Sequence, residues 1–379
     1  MFVPARLQAL LVTAATAAML CLPSANAWAD PPPPPVGGTE LGGTGVLVHP
    51  APGVPALPDI PAAGWLIADL DTGQVLAAKD PHGRYAPAST LKVLTALVLV
   101  PRLNPATKIT ATRAQVAIEG SKVGVVPGHT YTVKMLLQGM LMVSGNDAAR
   151  VLAGNLGGEP AVAGLMNSAA AHLHADDTHA GNVTGLDAPG QTTSAYDLAL
   201  ISKAALAFPA FDKYVATARA EFSGAGVKPF QISNHNPLLT RYPGTYGIKN
   251  GYTDAARASY VGTVRRGGHN LIVTMIKADP AFRAPAEALL DWGFAADGKV
   301  TPIGTLVAAG TPNPVQSPAP VITTATGATA DAVPRRTRPN SLTWAATGVG
   351  GGLIVLVGWQ LRWRRRRNVR HSRLTLPRL

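Results

Sequence analysis

Two side chains three residues apart carry the first chemical signal: Ser89 and Lys92, in the segment Ala86-Pro-Ala-Ser-Thr-Leu-Lys92. Positions i and i+3 share one helix face, a turn apart. A neutral lysine amine placed there can take the proton of a serine hydroxyl and make it a nucleophile. The helix predicted from about Ala88 to Val100 is apolar almost all round, through Leu91, Val93, Leu94, Leu97, Val98 and Leu99. It is therefore expected to be buried on most sides, where an unpaired ammonium is costly. A serine at its N-terminus meets free backbone N–H groups and the positive dipole end, where an oxyanion can be stabilised. Taken alone, the spacing also describes a capped helix with a surface lysine, although no other Ser-x-x-Lys occurs in the chain.

Two further groups could share such a site. Ser144-Gly-Asn146 lies between two apolar segments, so a hydroxyl and an amide can face one cleft from a tight turn. The same residues are ordinary helix caps. Ile248-Lys-Asn-Gly-Tyr-Thr253 follows a predicted strand. Lys249 can hold a carboxylate, and Gly251 lets a substrate backbone lie close to the strand edge. The competing reading is a hairpin turn at Asn250-Gly251 with an exposed lysine. His172, His174 and His179 stand near Asp176 and Asp177 but lack an i,i+4 histidine pair with a glutamate. They read as a surface loop, and no metal or cofactor is expected.

The elements that must position these groups follow from the pattern around them. Gly64–Leu70 and Gln74–Ala78 read as strands flanking a turn at Asp71-Thr-Gly73. Helices are expected at 132–143, 147–154 and 194–208, the last with Ser194 and Asp197 spaced as a capping box. A short strand at 246–249 and longer ones at 258–265 and 270–277 return late, the last two joined at Gly267-Gly268. A closing helix is expected at 282–294. Strands at both ends with helices between them describe an α+β domain at 59–298. It has an antiparallel sheet flanked by helices and a mostly helical insertion at about 102–235.

The flanks differ in composition. Residues 1–27 read as a signal peptide with an Ala25-Asn-Ala27 cleavage site, and Cys21, the one cysteine, lies inside it. The mature chain then has neither disulfides nor a thiol nucleophile. Residues 28–58 read as a Pro/Gly-rich linker and 299–340 as a Pro/Ala/Thr-rich stalk. Leu342–Leu361 is uncharged and long enough to span a bilayer, and Arg364–Arg367 follow it. The positive-inside rule makes 362–379 a cytoplasmic tail and puts the domain outside a cell membrane that the chain crosses once. The net charge of +12 is concentrated there: eleven arginines and no acid occur in 335–379, while 31–334 holds 21 basic against 20 acidic residues. The body has no basic footprint for nucleic acid.

Ser-x-x-Lys, Ser-x-Asn and a Lys-x-Gly in this order resemble the signature of penicillin-binding proteins and class A β-lactamases. Over roughly residues 60–295 the chain resembles the low-molecular-mass D-alanyl-D-alanine carboxypeptidases, a family of serine peptidases. Asp69–Leu76, Pro87–Lys92, Asn182–Asp187 and Thr193–Asp197 extend the likeness. The resemblance implies a penicillin-binding fold and attack by Ser89 on the carbonyl between two D-alanines of a peptidoglycan stem peptide. It implies Lys92 as base, Ser144 as proton carrier to the leaving amine and Asn146 orienting substrate and Lys92. Lys249, Asn250 and Thr253 would bind the terminal carboxylate, Gly251 would also bind substrate, and β-lactams would acylate Ser89. The chain departs from the family's Lys-Thr-Gly in having Asn250, and Arg257 stands where a small residue is expected. Alternatives are a DD-endopeptidase or β-lactamase on the same fold, or a non-catalytic wall-binding membrane protein. Glu159, followed by Pro160-Ala-Val-Ala, does not resemble the segment that activates a lactamase water.

Overall fold

Successive side chains of the central strands point to opposite faces of a sheet that is buried on both. The structure is a computed structural model and describes residues 34–310 except Ala225. Its strands are β1 (Val46–Val48), β2 (Ala62–Asp69), β3 (Gln74–Lys79), β4 (Lys108–Thr110), β5 (Thr130–Thr132), β6 (Arg219–Phe222) and β7 (Phe230–Ser233). β8 (Thr245–Thr253), β9 (Arg257–Arg266), β10 (His269–Ala278) and β11 (Gly304–Thr305) follow. The helices are α1 (Lys92–Leu99), α2 (Arg113–Val116), α3 (Val133–Met142), α4 (Asn146–Gly154), α5 (Glu159–His172), α6 (Ala195–Leu206), α7 (Pro209–Ala216) and α8 (Arg283–Ala296).

The main sheet runs β1-β3-β2-β10-β9-β8, with β11 also on β3, and its neighbours are antiparallel. Gly267 (φ 60°) and Gly268 (φ 85°) take the left-handed turn between β9 and β10 that side chains resist. Alternation then sorts the residues. Leu66, Ala68, Ile272 and Ile276 face the helical part with α1 and α6, while Trp65, Ile67, Val273 and Met275 face α8. The α+β architecture, with helices inserted between early and late strands, is as the sequence indicates.

Three boundaries move. Residues 34–58 are not a free linker: Val46 pairs with Lys79, the Trp292 indole donates to Pro55 O at 3.0 Å, and Leu41 is buried. The outer edge of β3 would otherwise leave amides unpaired, and β1 satisfies them. The start of the expected stalk folds back for the same reason. Gly304 pairs with Val75, Tyr196 donates to Thr305 O at 2.7 Å, and Ile303 and Leu306 are buried. The strand expected at 246–249 continues to Thr253, so Asn250-Gly251 sits inside β8 instead of forming a hairpin turn. The expected signal peptide at 1–27, the spanning segment 342–361 and the tail 362–379 lie outside the described residues. Among the described residues no helix is long and apolar enough to cross a membrane.

Candidate active site

The nucleophile segment begins with strained backbone. Ala88 has φ 48°, and a short 3-10 turn, Ala88–Leu91, precedes α1 in place of the continuous α-helix expected from Ala88. Thr90 Oγ1 and Ser259 Oγ, from β9, both donate to Pro87 O, at 2.6 and 2.7 Å. They hold the turn against the sheet. Ser144 also takes a left-handed φ, 63°, in the turn between α3 and α4. Such conformations cost about 1–3 kcal/mol each and persist where the surroundings over-determine them.

Lys92 is fully buried at the start of α1. Its Nζ lies 3.1 Å from Ser89 Oγ and 2.7 Å from Asn146 Oδ1, and it also bonds Thr184 O. Two of these partners can only accept. A neutral amine has two N–H groups for them and one lone pair, which is left for the Ser89 hydroxyl. Burial, followed by the charge of Lys249, pushes the Lys92 amine well below the usual lysine range, against an opposing pull from Asp147. Burial and the neighbouring cation favour the neutral amine, although an ammonium would donate to all three oxygens.

Lys249 is also buried, and burial pushes its amine down to about 7. Its Nζ donates to Asn250 O at 2.7 Å. Ser144 Oγ is buried with no hydrogen-bond partner among the described residues. Gly251 is where β8 presses on the nucleophile: a Cβ there would stand 2.5 Å from Ser89 N and 3.0 Å from Ala88 Cβ. The backbone of the edge strand thus runs directly beside the Ser89 amide.

The remaining predicted residues meet the site differently. Asn146 is satisfied within the protein, its Nδ2 donating to Glu119 O at 2.9 Å while Oδ1 holds Lys92. It therefore positions Lys92. Thr253 Oγ1 donates to Asp187 Oδ1 at 2.9 Å, so its single O–H is spent tying β8 to the 182–187 loop. Asn250 pairs with Tyr260, so its side chain leaves the sheet on the α8 face, opposite to Lys249 and Gly251. Arg257 is exposed with φ 56°. Glu159 is ion-paired to Arg150. Asp177 pairs with His82 at 2.8 Å and Arg84 at 3.0 Å, and His172, His174 and His179 join neither metal-capable cluster among the described residues.

Sequence reasoning missed Asp147, Thr184, Asp187 and Ser259. Asp147 is buried and accepts from the amides of Val123, Gly124 and Val125 at 2.9–3.0 Å, and of Ala148 at 2.9 Å. It fixes the loop whose Glu119 and Ser121 carbonyls hold Asn146. An acid directly after Ser-x-Asn was the available signal. Thr184 acts through its carbonyl, which leaves no trace in residue type.

Residues 51–280 match the peptidase family described as D-alanyl-D-alanine carboxypeptidase. The chain is 44% identical over 266 residues to the D-alanyl-D-alanine carboxypeptidase DacB2 of Mycobacterium tuberculosis, covering 68% of this chain and 90% of that one. It is 31% identical over 241 residues to DacF of Bacillus subtilis, covering 62% of each. Among solved structures it resembles a D-alanyl-D-alanine carboxypeptidase from Mycobacterium tuberculosis with TM-score 0.65 and 43% identity, over 68% of this chain and all of that one. The Streptomyces K15 DD-transpeptidase gives TM-score 0.61 and 29% identity, over 64% and 100%.

Proposed function

The chain belongs to the D-alanyl-D-alanine carboxypeptidase family, and we propose that Ser89, Lys92 and Ser144 carry out its reaction, with Lys249 holding the substrate carboxylate. The enzyme removes the terminal D-alanine of peptidoglycan stem peptides in cell-wall metabolism. The observation that carries the residue assignment is the fully buried Lys92 amine, pushed well below the usual lysine range and 3.1 Å from Ser89 Oγ.

The substrate lies along the free edge of β8, with its terminal carboxylate at Lys249. Ser89 Oγ attacks the carbonyl between the two D-alanines as its proton passes to Lys92. The Ser89 N–H, with one from β8, receives the developing oxyanion, and the close approach at Gly251 supports that pairing. Ser144, whose hydroxyl has no partner among the described residues, relays the proton to the leaving amine. Water hydrolyses the acyl-enzyme by the reverse route. A β-lactam carbonyl occupying the same position acylates Ser89 and stays. Ser89→Ala is expected to abolish both D-alanine release and covalent labelling by penicillin. Labelling that survives the change places the nucleophile elsewhere.

Thr253 acts through its bond to Asp187, as a latch across the cleft, and Asn146 as a positioning group for Lys92. The composition of 1–27 and 342–379 supports export of this domain and its tethering to the outer side of a cell membrane by 342–361. The full chain is then expected to remain in the membrane fraction after an alkaline wash, and its release by that wash overturns the tether.

A further inference from the structure

Far along the sheet from Ser89, the last turn of α6, the first turn of α7 and the ends of β8, β9 and β10 enclose a cavity of about 220 Å³. Tyr246 precedes Gly251 on β8 and Arg265 follows Ser259 on β9, so about 16–20 Å of strand separates this cavity from the nucleophile turn. Two cations reach it, Lys203 from α6 and Arg265 from β9, and neither pairs with a carboxylate among the described residues. The Arg265 guanidinium stands over the Tyr246 ring, 4.7 Å from its centroid. The ring fixes it and leaves its N–H groups available. Asp212, from α7, is the one acid in the lining. Its Oδ1 is shut away from water with no hydrogen-bond partner among the described residues, so the carboxylate is partly desolvated and uncompensated. Asn270, by contrast, is satisfied: its Nδ2 donates to Asp71 Oδ1 at 2.8 Å, and its Oδ1 accepts from the Tyr246 hydroxyl at 2.6 Å.

The charges select the ligand. Lys203 and Arg265 suit a carboxylate, but Asp212 beside them repels a simple anion. A bare ammonium suits Asp212 and meets two like charges. A molecule that carries both charges on neighbouring atoms satisfies all three side chains, and an α-amino acid zwitterion is the smallest common one. Leu70 and Leu206 supply an apolar wall for a short side chain. The space equals that of about seven liquid waters, enough for one alanine. We propose that this cavity is a second binding site, separate from the catalytic cleft, for a small zwitterionic amino acid of the class to which D-alanine belongs. The carboxylate lies on Arg265 and Lys203 and the ammonium on Asp212. Identifying the ligand with the enzyme's own product rests on the carboxypeptidase assignment above; the charge complementarity does not.

The test uses the full chain in detergent, acylated with penicillin so that the catalytic cleft is blocked, and follows binding by saturation-transfer NMR. D-Alanine is compared with D-lactate, which replaces the ammonium by a hydroxyl, and with D-alaninamide, which replaces the carboxylate by a neutral amide. Both analogues match D-alanine in size, so each comparison reads one charge. The wild-type chain is expected to bind D-alanine with a Kd on the order of 1 mM. It should prefer D-alanine to either analogue by about fivefold, the upper range for an exposed ion pair. Lys203→Gln combined with Arg265→Gln is expected to erase the preference over D-alaninamide, and Asp212→Asn the preference over D-lactate. If Asp212→Asn does not fold by thermal melt, the double variant decides alone. Absence of saturable D-alanine binding, equal binding of D-lactate, or preferences that the variants leave unchanged overturns the site. Failure of penicillin to label the wild-type chain overturns the Ser89 assignment instead, and the same variant ratios still decide the cavity.

Discussion

Gly251→Ala adds a single methyl group at the point where β8 meets the nucleophile. That Cβ would sit 2.5 Å from Ser89 N, 2.8 Å from Ser259 Oγ and 3.0 Å from Ala88 Cβ, against an ordinary contact of 3.4 Å, so the deficit at Ser89 N is 0.9 Å. None of these neighbours is a flexible tip. Ser259 Oγ is tied to Pro87 O, and the Ser89 amide belongs to the 3-10 turn. Either β8 or the nucleophile turn must give way by most of that distance. A misplacement of about 1 Å at a reacting group costs on the order of 100-fold in rate. That is two decades, or about 2.7 kcal/mol of barrier. The expected result is a loss of about 100-fold in kcat/KM for D-alanine release, with the same factor in the rate of penicillin acylation. Circular dichroism at the assay temperature should show an intact fold, because only the edge strand is disturbed. A folded Gly251→Ala enzyme within threefold of wild type on both reactions refutes the claim that this close approach sets the Ser89 geometry.

Two further outcomes test the electrostatics and the loop support. On the proposed roles of a neutral Lys92 and a charged Lys249, kcat/KM should rise with pH as Lys92 loses its proton and fall again as Lys249 loses its own, near its value of about 7. Lys249→Arg keeps the cation and should move the alkaline limb well above pH 7; an alkaline limb unmoved by the change removes Lys249 from that role. Asp147→Ala strips the acceptor from four amides and should cost about 3 kcal/mol, or about 6–12 °C in melting temperature, together with a lower kcat as the Asn146 support of Lys92 loosens. A melting temperature within about 2 °C of wild type contradicts this account of the loop.

Much of this enzyme is set by local residue order. Period-two alternation and glycine turns specify β2, β3, β9 and β10, since a slip of one residue would send every buried side chain to the other face. The spacing of Ser89 and Lys92 puts both groups on one turn, and the length of the apolar run around them forces Lys92 into the interior. Those facts already imply a depressed lysine. Other features depend on contacts distant in the chain. Asn250-Gly251 carries a strong turn signal, yet the eight residue pairs between β8 and β9 override it. The Pro/Gly-rich residues 34–58 and the segment 303–307 look unstructured alone, but the bare edge of β3 needs their amides and carbonyls. Thr184 contributes a carbonyl, which every residue has, so only its position beside Lys92 reveals it. Asn250 was placed by motif with the carboxylate ligands. The pleat of β8 turns its side chain to the α8 face, because strand geometry alternates whatever the motif suggests. Residue types and spacing therefore singled out the candidate reacting groups, and the tertiary structure decided their burial and their partners.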